Sequence, residues 1–74
     1  MQPTLNVALV GYGYAGKTFH APLIAHTPGF HLHTVVSSDQ QKVLADLPQV
    51  RVVDKAQEAF SDPGIDLVVI AAPN

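Results

Sequence analysis

Apolar and polar positions along this chain switch repeatedly between a period of two and a looser helical spacing. In residues 5–10, Leu5, Val7 and Leu9 fall on one side of an extended segment and Asn6, Ala8 and Val10 on the other. Both faces are largely apolar, as in an interior strand of a parallel sheet. A helix is expected over 14–26, with Pro22 inside it. Proline lacks a backbone N–H and crowds the preceding turn, so a kink or break is expected near His20 and Ala21. Thr27, Pro28 and Gly29 end that segment, and a second strand is expected over 30–37. Strict alternation puts Phe30, Leu32, Thr34 and Val36 on one face and His31, His33 and Val35 on the other.

Ser38 followed three residues later by Gln41 has capping-box spacing, which predicts a second helix over 39–47, stopped by Pro48. Residues 50–53 form a brief third strand. Residues 54–57 resemble another cap, with Asp54 at its start, opening a helix of a turn or two through Phe60. Asp62, Pro63 and Gly64 make a turn. Residues 67–72 are a continuous apolar run of strand length, read as buried on both faces, and Pro73 and Asn74 leave it at once. Strands alternating with helices imply the α/β class, a parallel sheet with right-handed crossovers in the order 3-2-1-4. The topological switch then lies between strands one and four, beside residues 11–16 and 72–74.

The first strand runs directly into Gly11, Gly13 and Gly16, the G-x-G-x-x-G spacing of a dinucleotide-binding turn. Gly11 suits a sharp turn out of the strand, Gly13 leaves room for a pyrophosphate to approach the backbone, and Gly16 lets the next helix press on the strand. Backbone N–H groups at that helix start would face the ligand.

Composition mostly excludes. A formal charge of -2 with four Lys and Arg offers no basic stripe for nucleic acid, and no apolar run is long enough to cross a bilayer. No secretory signal precedes the first strand and the chain has no cysteine, so a cytoplasmic protein is expected. Seventy-four residues are few for an independent domain, yet 47% are apolar. Residues 1–74 therefore read as an incomplete domain, the opening piece of a longer chain.

The segments GYGYAGKTFHAPLI at 11–24, PGFHLHTVVSSD at 28–39 and DPGIDLVVIAAPN at 62–74 together resemble the N-terminus of the Gfo/Idh/MocA oxidoreductases. That resemblance implies the N-terminal half of a Rossmann dinucleotide-binding fold, truncated after strand four, with a substrate domain lying elsewhere. It also implies a nicotinamide cofactor and hydride transfer at a carbon bearing a hydroxyl or carbonyl, usually on a sugar, an inositol or a related small molecule. The family's Glu-Lys-Pro motif and acid–base residues would lie past Asn74. No residue here is assigned as catalytic, and the 74 residues alone are expected to be inactive and to associate through an exposed edge strand, whereas the parent enzyme is expected to be a homo-oligomer. A non-catalytic nucleotide-binding or sensor module on the same fold is the alternative.

The expected cofactor contacts are Gly11, Tyr12, Gly13, Tyr14, Ala15 and Gly16 at the pyrophosphate, Ser37 and Ser38 at the adenosine ribose, and Pro73 and Asn74 at the nicotinamide side. Aligned on the family pattern, Ser37 stands where an NAD enzyme has an acid that repels a 2′-phosphate, which tilts the choice between NAD and NADP slightly toward NADP. Against that, Ser38 stands where NADP enzymes often carry arginine, and Lys42 is the nearby cation. Asp39 reads better as a helix-start residue than as a ribose acid. Lys17 is expected to be solvated. Tyr12 and Tyr14 either shield the phosphates or sit in an exposed loop. His31 and His33, spaced i, i+2, lack a third partner for a metal, and none is assigned.

Overall fold

A computed structural model describes residues 4–13 and 16–71. Four parallel strands, β1 (Leu5–Val10), β2 (Phe30–Val36), β3 (Arg51–Val53) and β4 (Leu67–Ile70), form one sheet in the order β3-β2-β1-β4. That is the expected Rossmann half, with β1 paired on both sides. Val7, Ala8 and Leu9 are wholly buried, as the two apolar faces of this strand require.

The connection after β1 is wound in two modes. Gly16–His20 is a π-helical segment, and α1 (Ala21–His26) follows it. Where a kink or break was expected, at His20 and Ala21, the winding changes from π to α with the backbone still helical, and Pro22 falls in the first turn of α1. The expected helix start at Tyr14 and Ala15 lies outside the described residues, as do Ala72, Pro73 and Asn74. Helix α2 (Gln40–Asp46) is capped by Asp39, whose Oδ1 accepts from the Lys42 amide at 3.1 Å. The cap is therefore Asp39 and not Ser38. The serine that does contribute is Ser37, whose Oγ accepts from the Asp39 amide at 3.1 Å. Asp54 likewise does not cap α3 (Ala56–Phe60); Lys55 holds the N-cap position, without a side-chain bond.

Strict alternation fails in β2. Val7 pairs with Leu32 and Ala8 pairs with Thr34, so His33 is a bulged residue with no partner on β1. Past that point the faces exchange. Leu32 and Val35 lie together in the core with Val7 and Leu9, while Val36 packs on the opposite face with Ala8 and Val53. The expected partition of Phe30, Leu32, Thr34 and Val36 onto one face is thus corrected at His33. Thr34 is wholly buried, and its hydroxyl is hydrogen-bonded to His33 Nδ1 at 2.6 Å, so the bulge also satisfies the polar group it turns inward.

The two faces of the sheet are covered unequally. Ala21 and Ile24 of α1 and Val43 of α2 pack on Val7, Leu9, Leu32 and Val35. Ala59 of α3, with the partly buried Ala56, packs on the other face. Strand β4 is an edge among the described residues, with Leu67 37% and Ile70 63% exposed, in contrast to the burial on both sides expected from its composition. Its entry is fixed by polar contacts. The Asn6 amide donates to Asp66 Oδ2 at 2.8 Å, the Asp66 amide to the Asn6 carbonyl at 2.8 Å, and the Gly64 amide to Asp62 Oδ1 at 2.8 Å, closing the expected turn. No described helix is long and apolar enough to cross a membrane.

Removing the α2 cap with Asp39→Ala exposes the Lys42 amide and is expected to cost about 1 kcal/mol. Urea melts of the two proteins measure it; an unchanged midpoint would place the helix start elsewhere.

Candidate cofactor site

Parallel strands end on one edge of a sheet, so the residues that follow them in sequence meet in space. Gly11 follows β1, Ser37 follows β2 and Asp54 follows β3. Backbone bonds set their relative heights: Gly11 N–H donates to Val36 O at 3.0 Å, Ser37 N–H to Val53 O at 2.9 Å, and Ala71 N–H to Val10 O at 2.9 Å. Between them lies an open depression of about 420 Å³, lined by Gly11, Gly13, Ser37, Ser38, Lys42 and Asp54 among others. A second depression of about 490 Å³ adjoins it and shares Ser37, Ser38 and Asp54.

The glycines of the turn have three different surroundings. Gly11 has φ +102°, in the left-handed region that side chains disfavour. A Cβ on Gly16 would collide with the Gly11 carbonyl oxygen and would lie 3.8 Å from the Ala71 Cβ, so the chain after the turn presses on the end of β1 backbone to backbone. At Gly13 a Cβ would meet nothing within 4 Å among the described residues. Internal packing therefore explains Gly11 and Gly16 but not Gly13, whose free space opens on the depression it lines. Close approach of a pyrophosphate to the backbone calls for a bare position of this kind.

Tyr12, between Gly11 and Gly13, is not in an exposed loop. It is 6% exposed and packs into the core with Ala21, Ile24 and Val43. Its hydroxyl donates to Asp46 Oδ2 at 2.9 Å on α2. Asp46 Oδ2 also lies 3.4 Å from Lys17 Nζ, so Lys17 is ion-paired rather than simply solvated. That pair is half exposed and contributes little to stability on its own. Burial first, then the hydrogen bond to Asp46 and its charge, push the Tyr12 phenol up to about 12. The Tyr12 hydrogen bond, opposed by burial and aided by Lys17 and Lys42, holds the Asp46 carboxyl below its ordinary value. Lys42 Nζ stands 6.0 Å from the Tyr12 ring centroid, at the far limit of a cation–π contact.

Of the expected contacts, Gly11, Tyr12, Gly13, Ser37 and Ser38 surround one depression, and Gly16 supports it from behind. Tyr14, Ala15, Pro73 and Asn74 lie outside the described residues. Asp39 does its work at the α2 cap. Two residues were not legible as site neighbours. Asp54, read as a cap, lines both depressions, and its position directly after β3 was the available signal. Asp46 gave no signal, because 34 residues separate it from Tyr12. His31 and His33 face each other edge-on with centroids 6.2 Å apart, and the described residues hold no cluster of three or more metal-ligand side chains.

The sequence pattern of an oxidoreductase family with an NAD-binding Rossmann fold, GFO_IDH_MocA, matches residues 5–74. The chain belongs to the Gfo/Idh/MocA oxidoreductase family. It is 57% identical over 74 residues to an uncharacterized oxidoreductase, YdgJ, of Escherichia coli, covering all of this chain and 21% of that protein. It is 32% identical over 71 residues to the scyllo-inositol 2-dehydrogenase (NADP(+)) IolW of Bacillus subtilis, covering 96% of this chain and 20% of that one. A solved Yersinia pestis structure described as an oxidoreductase superposes with a TM-score of 0.94 at 57% identity, covering 100% of this chain and 21% of that one. The chain thus spans about a fifth of the length of the relatives it matches.

The Tyr12 phenol carries a sign that can be checked. Its folded-state value lies above its ordinary 10.0, so the folded chain holds the proton more tightly than the unfolded chain. The stability this contributes is complete below about pH 10 and is lost as pH rises through about 12. Urea melts of wild type and Tyr12→Phe across that window should show the wild-type advantage shrinking with pH; a constant gap would contradict the buried, bonded phenol.

Proposed function

We propose that this chain forms the cofactor-binding part of an NAD(P)-dependent oxidoreductase that moves hydride between a nicotinamide and a hydroxyl- or carbonyl-bearing carbon of a sugar, an inositol or a related small molecule. The observation that carries the reading is the contrast within the turn: Gly11 and Gly16 are demanded by backbone geometry, while Gly13 faces open space at the depression. Family membership supports the oxidoreductase class, and the resemblance to an inositol dehydrogenase supports the substrate class.

In this reading the pyrophosphate crosses Gly13, flanked by Gly11, Tyr12, Tyr14, Ala15 and Gly16, with the adenosine ribose beside Ser37 and Ser38 and the nicotinamide side toward Pro73 and Asn74. The nicotinamide, when bound, supplies or accepts the hydride. This chain's own residues bind and orient it, and none of them is given a catalytic role. NADP is the favoured form. Ser37 brings no carboxylate against a 2′-phosphate, and Lys42 brings a cation to the same depression. Asp39 lines the same depression and commits Oδ1 to the α2 cap, the role this reading gives it. The NADP(+) in the name of the Bacillus subtilis relative agrees with this preference.

Two substitutions in the full-length protein test these assignments. Gly13→Val fills the space that no described residue fills, so NAD(P)H affinity should fall steeply, by about tenfold or more, with the fold retained. Fluorescence titration giving an unchanged affinity would overturn the pyrophosphate site. Ser37→Asp adds the missing carboxylate, and the ratio of NADH to NADPH affinity should move toward NADH. A ratio that stays put, or moves the other way, would mean that the choice of cofactor is made elsewhere.

A further inference from the structure

A glycine-rich turn is poorly able to hold its own shape. Glycine loses the most conformational freedom on ordering, and it offers no side chain by which neighbouring elements can grip it. Within Gly11, Tyr12 and Gly13 a single side chain is available, that of Tyr12. It packs into the core, and its hydroxyl reaches α2, 34 residues further along, at Asp46 Oδ2. A phenylalanine would fill the same apolar space, so the hydroxyl and its carboxylate partner have a role that packing does not explain. Asp46 is in turn fixed by Lys17, which leaves the segment just behind the turn and lies 3.4 Å from the same oxygen. The turn, the segment that follows it and α2 therefore converge on one carboxylate oxygen.

We propose that Tyr12 and Asp46 are a positioning pair for the dinucleotide turn: their hydrogen bond ties the residue between Gly11 and Gly13 to α2 and holds Gly13 open toward the depression before a cofactor arrives. The proposal rests on the reading above that this turn takes a nicotinamide dinucleotide. Neither residue needs to touch the cofactor through its side chain. The pair lowers the ordering cost of binding, so its loss appears as weaker affinity for both NADH and NADPH rather than as a change of preference. The pair also shields the site electrostatically. An unpaired Asp46 carboxylate behind the turn would oppose an anionic ligand, whereas here it is engaged by the Tyr12 hydroxyl and the Lys17 ammonium.

The test uses the full-length protein with Tyr12→Phe, Asp46→Ala, Asp46→Asn and the Tyr12→Phe/Asp46→Ala double variant, titrated with NADPH and with NADH while melting temperature is followed in parallel. Tyr12→Phe and Asp46→Ala should each weaken both cofactors about fivefold, the net scale of one ordinary intramolecular hydrogen bond. The double variant should be no weaker than either single one, since both remove the same bond. Asp46→Asn keeps an oxygen that can accept from the phenol and should restore affinity to within about twofold of wild type. Unchanged affinity in Tyr12→Phe, additive losses in the double variant, or an Asp46→Asn as weak as Asp46→Ala would each overturn the pair's role. Should Tyr12→Phe fail to fold, the contrast between Asp46→Ala and Asp46→Asn decides alone. A wild-type protein that binds neither cofactor would overturn the functional reading itself, an outcome distinct from a wild type that binds and a Tyr12→Phe that binds equally well.

Discussion

The contact on which this arrangement depends is between two stretches of bare backbone. Gly16 lies so close to the Gly11 carbonyl that any side chain there would overlap it, and Gly11 reaches that position only by a positive φ. Because the chain folds back this tightly, α1 can lie directly on the face presented by Val7 and Leu9. The same fold-back directs Tyr12 inward and leaves Gly13 outward. The turn is thus a packing solution first, and in the reading proposed above its capacity to bind a dinucleotide follows from Gly13, against which no described residue packs.

The sheet that carries this turn is lopsided. One face is covered by α1 and α2, which share a core with the sheet, while α3 contributes little more than Ala59 and Ala56 to the other. The covered face is also the one that anchors the turn, through Tyr12 and α2. Apolar burial and polar anchoring coincide there: Val43 faces the sheet from the same helix whose last residue, Asp46, accepts from Tyr12. Distortion of α2 would accordingly reach the glycine turn without any residue of the turn being changed.

Much of this was legible in the sequence because it follows from local rules. The element order, the sheet order and the irregularity before Pro22 come from periodicity, turn residues and proline stereochemistry, each of which acts over a few residues. What escaped was set by contacts distant in sequence. Tyr12 was read beside its neighbours Gly11 and Gly13, so an exposed loop was as reasonable as shielding the phosphates, whereas its place is set by Ala21, Ile24 and Val43 in the core and by Asp46, 34 residues away. The α2 cap shifted by one residue because serine and aspartate compete for the same role, and Ser37 was already placed to accept from Asp39. The exposure of Ile70 reflects pairing on one side, which an apolar run does not announce.

The bulge at His33 has a consequence for how such a site can be moved. A strand reports its facing by parity, and one unpaired residue resets the count for everything downstream. Ser37 and Asp39 thus reach the depression in a phase fixed several residues earlier, at a histidine that does not line it. Transplanting the end of β2 into another parallel sheet without its His33 would put Val35 and Val36 on exchanged faces, and the serine that follows them would arrive half a pleat out of step with the turn it is meant to face.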